Sequence, residues 1–333
     1  MKQRTPLVSH IFTADPSAHV FDDKIYVYPS HDIAHDGEDN DDGDEYQMED
    51  YHILSMDNVD APCIDNGEAL NMRDVPWVSK QMWAPDCAYK NGKYYLYFPA
   101  RDKDLRFHIG VAVSDSPVGP FKPEDDYIKG SFSIDPAVLV DDDGSAYIYF
   151  GGLWGGQLQW YQAPRELTKE GIVLGPAADK KTQLFCPADV PALPSCVVRL
   201  SDDVKQFAEA PRPVVILDKN GEPLKAGDPH RFFEASWMHK YQGKYYFSYS
   251  TGDSHFLCYA IGDNPYGPFT YQGVLLDPVV GWTTHHSIVE FKGQWYLCYH
   301  DCVPSNDITH LRSLKAQRLF YNEDGTIQKV INE

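Results

Sequence analysis

The chain has 333 residues, 43% hydrophobic and 23% charged, a balance that excludes a disordered chain and leaves room for one large core. Its formal charge is −20, with 29 basic residues against 49 acidic ones. That charge and the lack of a basic cluster exclude nucleic-acid and anionic-membrane partners.

The opening residues, MKQRTPLVSHIF, have neither the apolar run nor the small-residue cleavage site of a signal peptide. No apolar run reaches the roughly 18 residues of a spanning helix. Then comes TADPSAHVFDDKIYVYPSHD (13–32), a short apolar stretch, a turn at Asp22-Asp23, and an alternating aromatic strand. This is the pattern of a β-hairpin with one buried face. The next segment, HDGEDNDDGDEYQMED (35–50), nearly matches EF-hand spacing through Glu38, Asn40, Asp42, Gly43 and Glu49. It opens on Glu, however, and follows a strand instead of a helix, so it reads as a solvated insertion shaping a pocket rim.

The hairpin phrase then recurs four times. WAPDCAYKNGKYYLYFPA (83–100) turns at Asn91-Gly92, and SIDPAVLVDDDGSAYIYFGG (133–152) turns at Asp143-Gly144. FFEASWMHKYQGKYYFSYS (232–250) turns at Gln242-Gly243, and HHSIVEFKGQWYLCYH (285–300) turns at Lys292-Gly293. A second pair of related segments, IGVAVSDSPVGPF (109–121) and CYAIGDNPYGPF (258–269), supplies further strands ending in Pro-Gly turns. DITHLRSLKAQRLFY (307–321) adds strands near the end, and pairing of terminal strands within one blade would close a ring. Five copies separated by about a four-stranded sheet predict an all-β, five-bladed β-propeller over residues 1–333 as a single domain. A β-sandwich would not require the repetition, and the lack of long amphipathic helices disfavours an α/β barrel.

Seven cysteines, at 63, 87, 186, 196, 258, 298 and 302, follow no regular spacing. They read as reduced, buried thiols of a cytoplasmic protein, and not as a disulfide framework or a zinc site around His300.

Counting back from the turns gives Asp15, Asp86, Asp135, Glu234 and His285. First strands line a propeller's channel, so these residues should converge at one end of it. Any single Asp-Pro is more plainly a turn starter, but the fivefold register favours a site. Buried carboxylates must pair with cations or shift one another's protonation. Two carboxyls in different environments are what glycoside hydrolysis needs.

TADPSAHVF, WAPD, SIDPAV, FFEASW and the late HHS and Arg312 resemble glycoside hydrolase family 43, in order and spacing, from Asp15 to Arg312. The resemblance implies an inverting enzyme of the β-xylosidase or α-L-arabinofuranosidase kind. It implies that Asp15 is the general base, Glu234 the general acid with a raised pKa, and Asp135 the carboxylate that tunes and orients the acid. In inverting chemistry base and acid stand about 6.5–9.5 Å apart. Arg312 would reach the sugar in the deepest subsite, and Asp86 would support substrate or the channel floor. Trp77, Trp83, Phe132 and Trp154 are candidates for the apolar walls.

His285, with His286 alternating to the opposite face, would help bind a Ca²⁺-like cation that keeps most of its water. The plainer reading of His285 is a neutral, hydrogen-bonded core histidine. Neutral pentose-containing oligosaccharides are the expected partners, with β-xylose release preferred, α-L-arabinofuranose release as the alternative, and a non-catalytic carbohydrate-binding propeller as the rival class. Closure of the pocket falls to loops, the 35–50 insertion among them, or to a second subunit of a homo-oligomer.

Overall fold

In the computed structural model, which describes residues 5–35, 39–161, 167–168, 171–172, 188–252 and 254–331, every repeated phrase is a hairpin. The paired strands are Phe12–Phe21 with Lys24–Asp32, Asp86–Lys90 with Lys93–Arg101, Ala137–Val140 with Ala146–Phe150, Phe232–Tyr241 with Lys244–Thr251, and His286–Phe291 with Gln294–Asp301. Four of the turns place two successive residues in the left-handed region, for example Asn91 (φ 53°) and Gly92 (φ 76°). A two-residue type I′ turn needs that conformation.

The third turn differs from the expected two-residue loop at Asp143-Gly144. It spans residues 141–145, closed by the Asp141 N–H on the Ser145 carbonyl at 2.8 Å. The cause is local: Asp141 Oδ1 accepts from the Asp142 N–H at 2.7 Å and Asp143 Oδ1 from the Ser145 N–H at 2.8 Å, which stabilises a wider bend.

Each hairpin continues outward into its own antiparallel sheet. Blade I adds Asp50–Met56 and Ile64–Asn71, and blade II adds Phe107–Ser114 and Lys122–Pro123. Blade III adds Cys196–Arg199 and Arg212–Pro213. Blade IV adds Leu257–Gly262, Phe269–Leu276 and the parallel Ile216–Leu217, and blade V adds Ser313–Leu319. The five first strands touch one another in chain order, and the last touches the first, so the sheets form a five-bladed β-propeller. Blade V consists only of C-terminal strands. The N-terminal segment lies along its edge, with the Leu7 N–H on the Leu314 carbonyl at 2.8 Å and the Thr13 N–H on the Arg312 carbonyl at 2.9 Å.

Apolar side chains pack between neighbouring sheets. Tyr28, Ile53, Cys87 and Leu96 fill the layer between blades I and II, and Ile25, Leu54, Val289 and Leu314 the layer that joins V back to I. The repeated tyrosines have a second task. Tyr28, Tyr97 and Tyr149 occupy the same place in the second strands of blades I, II and III and are fully buried. Their hydroxyls donate to Pro117 (2.7 Å), Val204 (2.8 Å) and Pro265 (2.7 Å) carbonyls, each in an outer loop of the next blade. Tyr246 of blade IV does the same to the Gly325 carbonyl at 2.6 Å. Tyr97→Phe is therefore expected to cost about 1–3 kcal/mol, because the Val204 carbonyl is left without its donor. An unchanged urea midpoint for that variant would contradict the stapling role. No helix among the described residues is long and apolar enough to cross a membrane.

Candidate active site

The inner strands lose their regular alternation where the acids stand. Asp15 (φ 50°), Asp135 (φ 57°) and Ala235 (φ 59°) are all left-handed, and the pairing shifts register between Ala14 and Ser17 and between Glu234 and Trp237. These irregularities re-aim side chains at the channel mouth. Aspartate tolerates the left-handed region better than most residues, but Ala235 does not. The Ala235 bend is held from outside, by its N–H donating to Asp135 Oδ2 at 2.7 Å. Asp135 thus fixes the backbone that carries Glu234.

A cavity of about 400 Å³ opens at this end of the channel. Asp15, Asp135, Glu234, His285 and Arg312 all line it, with Trp83 and Trp154 on its walls. The insertion contributes Asp39, Asn40, Asp41, Gly43, Glu45, Tyr46 and Met48. Among its described residues no helix stands between the two strands; Glu38 lies outside the described residues. Blade II pins it: Trp83 Nε1 donates to the Tyr46 carbonyl at 2.9 Å, and Gln81 Nε2 to the Gly43 carbonyl at 2.8 Å. A Cβ on Gly43 would stand 2.6 Å from the Trp83 ring, so this close approach needs glycine there.

Asp15 is the most constrained acid. Ser30 Oγ donates to its Oδ2 at 2.6 Å, and Arg312 Nη1 to its Oδ1 at 2.8 Å. Its own N–H donates to His300 Nδ1 at 3.1 Å, which makes His300 an Nε2–H tautomer whose proton faces Thr283. Burial by itself would raise the Asp15 carboxyl, but Arg312, then His285, hold it well below the usual carboxylate range. Desolvation, reinforced by Arg312, drives His300 down to about 3 and keeps it neutral.

Arg312 is almost fully engaged. Asp32 takes its Nε (2.9 Å) and Nη2 (2.8 Å) in a bidentate pair, and Nη1 is shared between Asp15 and Thr283 Oγ1 (3.1 Å). One Nη2 hydrogen is left to meet a ligand.

Glu234 is in the opposite condition. Burial and the nearby Asp135 and Asp15 charges push its pKa well above the ordinary glutamate value. Asp135 is also raised, by burial first, while His285 and the Ala235 N–H favour its charged form. Two such neighbours do not ionise together. Since Asp135 has a donor and a facing imidazole, the proton resides on Glu234.

Three expected positions stand elsewhere. Asp86 does not line the cavity. Its carboxylate is buried between blades, 2.6 Å from His19 Nε2 of blade I and accepting from the Val138 N–H of blade III at 2.5 Å. Phe132 is likewise absent from the walls, packed on Phe150 and Tyr161, because the left-handed Ser133 (φ 62°) reverses the alternation and turns Ile134 inward instead. Trp77 stacks on Phe98.

The sequence reading overlooked Asp32, Thr283, His300, Phe233 and Trp282. Trp282 stands 5.6 Å from Trp154 and 5.7 Å from Phe233, ring to ring, and the three form an aromatic wall. The signal was available in GWTTHHS, which places an aromatic directly ahead of the channel histidine.

His285 Nδ1 lies 3.5 Å from Asp15 Oδ1, while His286 points away to Ser248 Oγ at 2.6 Å. Beside them, the buried Thr284 Oγ1 and His286 Nδ1 have no hydrogen-bond partner among the described residues. One imidazole and stray polar atoms fit a hard cation only if it keeps most of its own water. A different set, His31, Asp50 and His52, brings its ligand atoms within 4.8 Å of one another.

The family model described as glycosyl hydrolases family 43 matches residues 4–327. A "Beta-xylosidase" of Xylanibacter ruminicola is 59% identical over 321 residues, 96% of this chain and 97% of the relative. A "Xylosidase/arabinosidase" of Bacteroides ovatus is 59% identical over 323 residues, 96% of this chain and 95% of the relative. Among solved structures, a GH43 beta-xylosidase/alpha-arabinofuranosidase from a compost microbial metagenome, in complex with xylotriose and in a calcium-free form, superposes with a TM-score of 0.93. It is 56% identical and covers 99% of this chain and 98% of its own.

Proposed function

Because the chain belongs to glycosyl hydrolases family 43, we propose that its cavity releases terminal β-D-xylose from xylo-oligosaccharides with inversion at the anomeric carbon. The protein is a glycosidase of the xylosidase/arabinofuranosidase kind. The observation that supports the assignment of roles is the contrast within one cavity between an ionised Asp15 and a protonated Glu234.

Asp15 accepts a proton from a water as the water oxygen bonds to the anomeric carbon. Glu234 Oε–H gives its proton to the glycosidic oxygen as the carbon–oxygen bond breaks. The two protons then exchange with solvent. Strong pairing with Arg312 makes Asp15 a weak base but keeps it ionised. Asp135 orients the Glu234 segment through the Ala235 N–H, and its negative charge helps keep the acid protonated. The remaining Arg312 hydrogen and the Trp83, Trp154 and Trp282 faces hold the sugar. His285 would hold a water-rich Ca²⁺-like ion, which when bound would supply positive charge that favours ionised carboxylates in the cavity. The insertion's acidity disfavours anionic sugars, and the described cysteines, all free thiols, suit a reducing compartment such as the cytoplasm.

α-L-arabinofuranoside hydrolysis is the second reading, favoured by the dual description of the Bacteroides ovatus relative. The test is side-by-side hydrolysis of aryl β-D-xylopyranoside and aryl α-L-arabinofuranoside, with and without chelator. Faster xyloside cleavage, with α-xylose as the first anomer seen by NMR, is the expected result. Faster arabinoside cleavage would transfer the substrate assignment, and a first-formed β-xylose would overturn the roles given to Asp15 and Glu234.

A further inference from the structure

We propose that His31, Asp50 and His52 form a binding site for a divalent transition-metal ion of the zinc class, at the neck of the insertion that lines the sugar cavity. His31 is the penultimate residue of Lys24–Asp32, and Asp50 and His52 open Asp50–Met56. The connection between these two strands, 33–49, carries all of the 35–50 insertion but its last residue, Asp50. The three residues therefore stand where the loop leaves blade I and where it returns.

The hydrogen-bond arithmetic leaves a gap of the right chemistry. His52 Nδ1 lies 2.9 Å from Asp65 Oδ1, so it carries the proton and leaves the Nε2 lone pair facing outward. That Nε2 faces Asp50 Oδ2 at 3.9 Å, too far for a hydrogen bond. Two acceptors opposed across that distance suit a cation between them, since two metal–ligand bonds of about 2.0–2.2 Å span up to about 4.4 Å. His31 Nδ1 stands 2.6 Å from Asp50 Oδ1, and its ring lies 4.8 Å from that of His52. An incoming ion takes the Nδ1 lone pair, and the proton now shared with Asp50 leaves to solvent.

Asp65 is then the outer carboxylate that sets the tautomer and direction of the ligating imidazole. It is itself met by His10 Nε2 at 2.8 Å, from the N-terminal segment. Among the described residues the ion pairs of Asp50 and Asp65 are all with histidines. The three ligand side chains are 14–18% exposed, which gives an ion a way in.

The experiment uses the full chain after chelator treatment, titrated with Co²⁺. Visible d–d bands saturating at one equivalent are expected, lost in His52→Gln and in His31→Gln and kept in His285→Gln. Asp65→Asn should retain the bands but weaken binding about 10–100-fold. Bands that survive both ligand substitutions, or that disappear only with His285→Gln, would overturn the site, as would their absence in the unaltered protein. If the variants do not fold, an anomalous difference map at the zinc edge from a zinc-soaked wild-type crystal decides. A peak among His31, Asp50 and His52 supports the site, and no peak there refutes it. Xyloside hydrolysis by the same samples reports separately on the glycosidase assignment, which this site does not depend on.

Discussion

Glu234→Gln is expected to lower kcat/KM on xylobiose by about 10²–10⁴-fold, the usual worth of a general acid. Glutamine keeps the shape of the side chain but has no proton to give. The loss should shrink on aryl xylosides with acidic leaving groups, which depart without protonation. The pH profile should change in the same variant. In the unaltered enzyme the acid works while protonated, so activity falls as pH rises through the raised Glu234 pKa. That basic limb should vanish with glutamine. The acid limb belongs to Asp15, whose pKa lies below the usual range, and should appear only at unusually low pH. Equal losses on xylobiose and on activated aryl xylosides would remove Glu234 from the acid role.

Arg312→Met should be the most damaging single change to stability, at about 3–5 kcal/mol. Removing one partner leaves Asp32 and Asp15 as buried, uncompensated charges. Arg312 and Asp32 are 2% and 1% exposed at their side chains, so solvent cannot take over. Adding Asp32→Leu removes one of the orphaned charges and should restore part of the urea midpoint. It should not restore activity, because Asp15 still lacks its cation. What activity remains should show an acid limb moved to higher pH, since loss of the Arg312 charge lets burial raise the Asp15 carboxyl. A stability loss below about 1 kcal/mol, the range of an exposed pair, would refute this account.

Much of the fold was readable because it is written in repeats. Asn91-Gly92 and Lys292-Gly293 announce tight turns by their chemistry, and alternating tyrosines announce half-buried strands. The acids Asp15, Asp135 and Glu234 were legible through their register against those turns. The errors arise where register fails. Ser133 and Asp135 are both left-handed, so counting by twos from SIDP puts Phe132 on the wrong side. Asp86 keeps its register but spends its carboxylate on His19 and the Val138 N–H, a partnership between three blades that no local pattern reveals. Asp32 and His300 stand at the ends of recognisable strands, yet their meaning depends on Arg312 and Asp15, hundreds of residues away in the chain. Trp282 comes from a connection between blades, where no repeat exists to count against.

The tyrosine staples all point forward along the chain: Tyr28 to Pro117, Tyr97 to Val204, Tyr149 to Pro265, Tyr246 to Gly325. On a ribosome, each blade therefore waits for the next to emerge before its staple has an acceptor. The circle itself waits longest, since Leu7 and Thr13 meet Leu314 and Arg312 only after about 300 intervening residues have been made. The cation that charges Asp15 arrives in that same last stretch. A nascent chain lacks its paired base until Arg312 has emerged, so hydrolysis begins with the closed ring.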